Sequence, residues 1–138
     1  MAETTGLTGD PAIVEALKGR DLTQPVAMLN LLKFRDQARY AKDSGETPCT
    51  GREAYARYAR LVKPVLEPLG ATVMLTGVVW MIGRPDEWDQ SFVVRYHQAT
   101  DILNLGADPA YQKAAHHRTA ALADSRLLML AFDSSALD

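Results

Sequence analysis

The sequence predicts an α+β fold in which two helices cover one face of a four-stranded antiparallel sheet. Three observations carry this. Apolar, β-branched runs of strand length occur at four places; two strongly periodic helices lie between them; and turn-forming residues mark the joins. After a short extra N-terminal helix the order is β-α-β-β-α-β, the split βαβ or ferredoxin-like arrangement.

Each element has its own warrant. Residues 1–9 are small and polar and are read as a disordered N-terminus. Asp10-Pro11 sets a capping carboxylate before a helix-starting proline, and Ile13, Ala16 and Leu17 share a face, giving a helix over 11–18 that ends at Gly19. Val26 to Arg35 is the first strand, an apolar run broken by one amide, Asn30, and closed by Lys33 and Arg35. Residues 36–50 are polar and rich in turn formers, a loop long enough to be functional. Thr50-Gly-Arg-Glu53 is a capping box, and Ala54, Tyr55, Tyr58, Leu61, Val62, Val65, Leu66 and Leu69 recur at helical spacing behind it. Pro64 should kink this helix, and Pro68 with Gly70 should end it.

Residues 71–83 read as a long second strand with Gly77 as a bulge or a point of close backbone approach. Arg84 to Glu87 is a turn, and Ser91 to His97 is the third strand. Thr100 is placed as the cap of a short helix through Leu105, interrupted at Gly106. Asp108-Pro109 opens the last helix, with Tyr111, Ala114, Ala115, Arg118 and Leu122 on one face. Asp124-Ser125 is read as a turn into a fourth strand over 126–132. One domain over 10–132 and a tail over 133–138 follow.

The composition is that of an ordinary globular chain: 138 residues, 47% hydrophobic, 23% charged, with a net charge of −2. That balance argues against a nucleic-acid surface. No apolar run is long enough to span a membrane, and residues 1–5 lack the features of a secretion signal. A single cysteine, Cys49, fits a reducing, cytoplasmic setting. Between Pro48 and Thr50, with nothing nearby in sequence to activate it, Cys49 reads as a loop thiol, not a nucleophile.

The first strand is apolar on both faces: Met28, Leu32 and Phe34 on one, Ala27, Leu29 and Leu31 on the other. Two helices cover only one face of a sheet. The simplest second cover is the same sheet from another copy, so a homodimer is expected.

Met28-Leu-Asn-Leu-Leu-Lys-Phe-Arg35, Gly51-Arg-Glu-Ala-Tyr-Ala-Arg-Tyr58, Asp108-Pro-Ala-Tyr-Gln112 and His117-Arg-Thr-Ala-Ala-Leu122 together resemble the bacterial family catalogued as domain of unknown function 1330, over residues 24–132. The resemblance implies a dimeric α/β barrel, two ferredoxin-like protomers packed sheet to sheet, with ligands held between sheet and helices or toward the barrel. The chain departs from the family pattern where Val94-Arg95-Tyr96-His97 and Ala110 replace its usual acidic positions.

A solitary amide in an apolar strand needs partners or a cavity, because an unpaired buried amide costs roughly 1–3 kcal/mol. Asn30 therefore marks a candidate pocket, or else bridges a bulge or the dimer seam. If the faces of the first and third strands coincide, Arg95 and His97 join Asn30 there. His97 is then the candidate general base, with Asn30 and Arg95 stabilising an oxyanion or enolate. An exposed histidine at the strand end and a surface ion pair for Arg95 are the plainer alternatives. Phe34, Tyr55, Tyr58 and Trp80 are the expected aromatic walls, with Trp88 a further candidate. Tyr111, His117 and Arg118 complete the expected binding set, the last two as anion contacts. His116 and His117 are adjacent on a helix, about 100° apart, and are not expected to share a metal; no metal or cofactor is expected. The function predicted is a metal- and flavin-free monooxygenase, or an isomerase or cyclase, acting on a hydrophobic oxygenated small molecule. The alternative is a non-catalytic ligand-binding or accessory homodimer.

Overall fold

The computed structural model describes residues 11–79, 82–84 and 86–131. Helix α1 (Pro11–Leu17), strand β1 (Val26–Phe34), helix α2 (Gly51–Leu66), β2 (Thr72–Val78), β3 (Gln90–Tyr96), α3 (Thr100–Ala107), α4 (Pro109–Ala121) and β4 (Leu122–Ala131) follow in order. The strands form one sheet in the order β2-β3-β1-β4, with every neighbouring pair antiparallel. This is the ferredoxin-like topology. The expected disordered N-terminus, the 133–138 tail and Trp80 lie outside the described residues.

The local signals explain most boundaries. Thr50 accepts from the Glu53 amide at 3.1 Å and Glu53 accepts from the Thr50 amide at 3.2 Å, so the capping box forms as written. Helix α2 runs through Pro64 to Leu66, and a 3-10 turn carries the chain to Gly70, whose φ of 68° stops it. The Asp108 carboxylate accepts from the Ala110 amide at 2.8 Å and starts α4.

Several expectations are corrected. The irregularity in β2 falls between Val73 and Leu75, so Met74 is the bulged residue, while Gly77 pairs regularly with Ser91. Thr100 does not cap α3; its hydroxyl donates instead to the Leu22 carbonyl at 3.0 Å. Gly106 lies inside α3 and is buried, so the helix is not interrupted there. Asp124-Ser125 is no turn: α4 passes straight into β4 at Leu122, and both residues already pair with β1.

The even-numbered residues of β1 face the helices. Val26 and Met28 join Val94, Tyr96, Val62 and Tyr111 in one core cluster between α2, α4 and the sheet, to which α1 adds Ile13 and Leu17, while Leu32 packs in a second cluster with Ala54, Tyr55 and Ala121. The odd-numbered residues face the other way, and neither cluster of buried side chains draws on them. There Leu128 and Leu130 are exposed at 42% and 46%, beside the partly covered Leu29 and Leu31. Among the described residues, this largely apolar second face is covered only in part: Ala27 is buried, while Leu128 and Leu130 stand open.

Candidate functional site

A pocket of about 380 Å³ lies between the sheet and α2 and α4. Its walls are mainly apolar: Met28, Val62, Leu66, Phe92, Val94 and Leu127. The exposed residues Lys63, Val73 and Thr76 line it on the side of β2, the edge strand, and mark its mouth. Helices α2 and α4 pack on each other, and β2 lies at the opposite edge of the sheet from β4, with β3 and β1 between them. The opening is thus where the helical layer runs out over the edge of the sheet.

The inner end carries the polar groups. Asn30 projects from the middle of β1, 8% exposed, and its amide nitrogen donates to the Met28 carbonyl at 3.2 Å. Arg118 comes from α4 and is 9% exposed. Four phenols surround them: Tyr55 and Tyr58 from α2, Tyr96 from β3 and Tyr111 from α4. The Tyr58 hydroxyl donates to the Tyr111 hydroxyl at 3.3 Å, and the rings of Tyr55 and Tyr58 lie 5.2 Å apart. No carboxylate and no imidazole occurs among the described lining residues.

Electrostatics fix the protonation of these phenols. Burial pushes the Tyr55 hydroxyl up, and the charge and hydrogen bond of Arg118 only partly offset it. Burial likewise raises Tyr58 strongly, reinforced by Tyr111 and Tyr55, and it raises Tyr96. All three are neutral donors at physiological pH. The cation in the inner pocket is Arg118, and a guanidinium keeps its charge.

The expected site residues divide sharply. Asn30, Tyr55, Tyr58, Tyr111 and Arg118 all line the pocket. Arg95 does not: Asn30 pairs with Phe92, whereas Arg95 pairs with Ala27 and so lies on the opposite face of the sheet. His97 follows the end of β3, exposed, with its ring against Gly70. The trio of Asn30, Arg95 and His97 is therefore not assembled. Phe34 packs against Tyr55 with the ring centroids 5.6 Å apart and the planes tilted, and it lies beneath Arg52, beside the pocket and not in its lining. Trp88 is buried under Arg126, away from it.

His117 is also elsewhere, on a different side of α4 from Arg118. Its Nδ1 lies 2.6 Å from the Tyr40 hydroxyl, under the 36–50 loop. Desolvation lowers its pKa, with His116 and Arg57 adding to the effect and Glu46 opposing it. The expectation that His116 and His117 diverge is corrected as well. Their ring centroids are 4.0 Å apart, and both Nε2 atoms point toward the same Glu46 oxygen. Tyr96, Gln90 and Thr76 were not anticipated as lining residues. For Tyr96 the signal was present, since it alternates with Val94 and Phe92 on the strand.

Comparisons with known proteins add a family and a fold. Residues 45–132 match the family described as domain of unknown function, DUF1330. The methylated RPA0582 protein is 36% identical, with a TM-score of 0.79 over 95% of this chain and 98% of that one. A further structure of RPA0582, a protein of unknown function from Rhodopseudomonas palustris, gives 34% identity and the same TM-score over 95% and 99%. A dimeric protein of unknown function and ferredoxin-like fold from Bacteroides fragilis is 11% identical, with a TM-score of 0.50 over 78% of this chain and 96% of that one. Among curated proteins none matches the chain. Among the described residues no helix is long and apolar enough to cross a membrane.

Proposed function

The chain belongs to the DUF1330 family, and on that footing we propose that it binds a small, largely apolar molecule carrying one acidic oxygen. The observation that supports this is Arg118, a buried cation at the inner end of an apolar pocket whose described lining holds no carboxylate. A guanidinium there favours a carboxylate, phenolate or enolate oxygen, and charge-assisted hydrogen bonds are about twice as strong as neutral ones. Asn30 and the neutral phenols supply further donors, and the apolar walls take the body of the ligand. The volume, about 380 Å³, falls within the usual range for small-molecule sites.

Binding is preferred over catalysis on one ground. The same donors would stabilise an enolate or phenolate during a cofactor-independent oxidation, isomerisation or cyclisation. Such a reaction needs a base, and His97 and His117, the residues nearest in kind, stand outside the pocket lining.

The homodimer belongs to this reading too. Leu29, Leu31, Leu128 and Leu130 lie on the open face of the sheet, and a second copy laid on that face would complete a dimeric α/β barrel. A reducing, cytoplasmic setting accords with Cys49, which is free and buried.

Calorimetric titration with 1-naphthoate and with its methyl ester tests the ligand class. The acid should bind at least tenfold more tightly than the ester. In Arg118→Met the preference should vanish, a loss of about 1.5–3 kcal/mol for a hydrogen bond to a charged group. Equal binding of acid and ester by the unaltered protein would overturn the reading.

A further inference from the structure

Outside the pocket, the 36–50 loop is folded over the outer side of α4. The Ala38 amide donates to the Cys49 carbonyl at 2.9 Å and the Arg39 amide to the Ala120 carbonyl at 2.9 Å, so the loop is tied both to itself and to the helix. This brings Glu46 over two consecutive histidines. Its Oε1 lies 3.1 Å from His116 Nε2 and 3.9 Å from His117 Nε2. One ligand atom from each of the three residues falls within 4.8 Å of the others.

We propose that Glu46, His116 and His117 form a binding site for a divalent first-row transition metal, with zinc the reference ion. Two imidazoles and one carboxylate are a donor set suited to such ions. Bonds of about 2.0–2.2 Å to a tetrahedral ion place its ligand atoms about 3.3 Å apart, so ångström-scale side-chain movements suffice to close the site.

The surrounding hydrogen bonds support it independently. His116 Nδ1 lies 2.7 Å from the Lys113 carbonyl, while its Nε2 faces the Glu46 carboxylate. A neutral imidazole has a single N–H and cannot donate to both acceptors. An N–H donated to Lys113 leaves an Nε2 lone pair facing an anion, a contact that either a proton or a metal ion between them satisfies. His117 has a matching partner, with Nδ1 at 2.6 Å from the Tyr40 hydroxyl. Each ring is therefore oriented through its second nitrogen, as metal-binding histidines usually are. Arg57 lies 3.7 Å from the other Glu46 oxygen, Oε2, which leaves Oε1 to bind in a monodentate manner. His116 is exposed, so ions can reach the site and solvent can complete the coordination. A bound ion would clamp the loop to α4, one residue from Arg118.

The test uses untagged full-length protein and Zn²⁺ itself. Calorimetry should give one saturable ion per chain. Glu46→Gln and His116→Gln should each weaken binding at least tenfold, and Tyr40→Phe by about tenfold as a loss from the surrounding shell. Because a variant can fail to fold, the unaltered protein supplies the second readout. Of its three histidines, Zn²⁺ should shift the imidazole nitrogen resonances of His116 and His117 and leave those of His97 in place. Absence of saturable binding, unaltered affinity in Glu46→Gln and His116→Gln, or equal shifts at all three histidines would each overturn the proposal.

Discussion

Gly51 offers the sharpest test of how this fold holds its loop. It is the first residue of α2, and three backbones meet at it. Its amide donates to the Arg35 carbonyl at 3.1 Å, and the Arg35 amide donates to the Ala121 carbonyl at 2.8 Å. The end of β1, the start of α2 and the end of α4 are joined in one knot. A methyl group at Gly51 would come 2.7 Å from the Ala121 carbonyl oxygen and 2.8 Å from the Arg35 nitrogen, and closer still to the Arg35 carbonyl oxygen. These neighbours are backbone atoms, with no flexible end that could swing aside. Gly51→Ala must therefore pry the knot open. Losing two hydrogen bonds costs about 1 kcal/mol each, and overpacking adds about 1–3 kcal/mol. Against that, alanine lowers the entropy of the unfolded chain, a gain of about 0.4–1 kcal/mol. The net expectation is a loss of about 2–4.5 kcal/mol, or roughly 7–15 °C in Tm. Urea denaturation followed by circular dichroism measures it. Gly77→Ala is the matched control, since a methyl there meets nothing within 4 Å, and its stability should stay within about 0.5 kcal/mol. A Gly51→Ala variant as stable as this control would refute the close-approach argument.

Other perturbations address other parts of the molecule. Thr50→Ala removes the capping hydroxyl of α2 and should cost about 1 kcal/mol by the same denaturation assay; an unchanged midpoint would show that the box contributes nothing. Leu128→Lys places a charge on the open face of the sheet, where the side chain is 42% exposed in the single chain. Light scattering should give twice the 15.1 kDa chain mass for the unaltered protein and the single mass for the variant, and a monomer in both cases would end the dimer proposal. Alkaline titration tests the phenols. Burial raises Tyr55, Tyr58 and Tyr96 above their ordinary value of 10.0, so the folded state keeps protons that the unfolded state releases. Their contribution to stability is complete below pH 10 and is lost as the pH rises above it. Tyrosinate absorbance should therefore show these three ionising only together with unfolding, and ionisation of all five tyrosines at pH 10 in a natively folded chain would contradict it.

The success and the failure of the sequence reading at the pocket have one physical source. Alternation along a strand is local, so it placed Met28, Asn30 and Leu32 together on the face that the structure buries. Whether Asn30 and Arg95 share a face depends instead on the register between β1 and β3, which are separated in sequence by more than fifty residues. A shift of one residue reverses the answer. The observed register sets Asn30 opposite Phe92, which sends Arg95 outward with Ala27 and brings Tyr96 inward with Val26. The pocket thus has its arginine from α4, where helical spacing had already put Arg118 on the Tyr111 face. The histidines make the same point at shorter range. The angle between neighbouring residues on a helix describes where Cβ atoms point, and an imidazole adds two rotatable bonds beyond that. With a loop residue such as Glu46 laid across both, neighbours that diverge at the backbone converge at their ring tips. Only the loop path, which no periodicity encodes, decides whether they do.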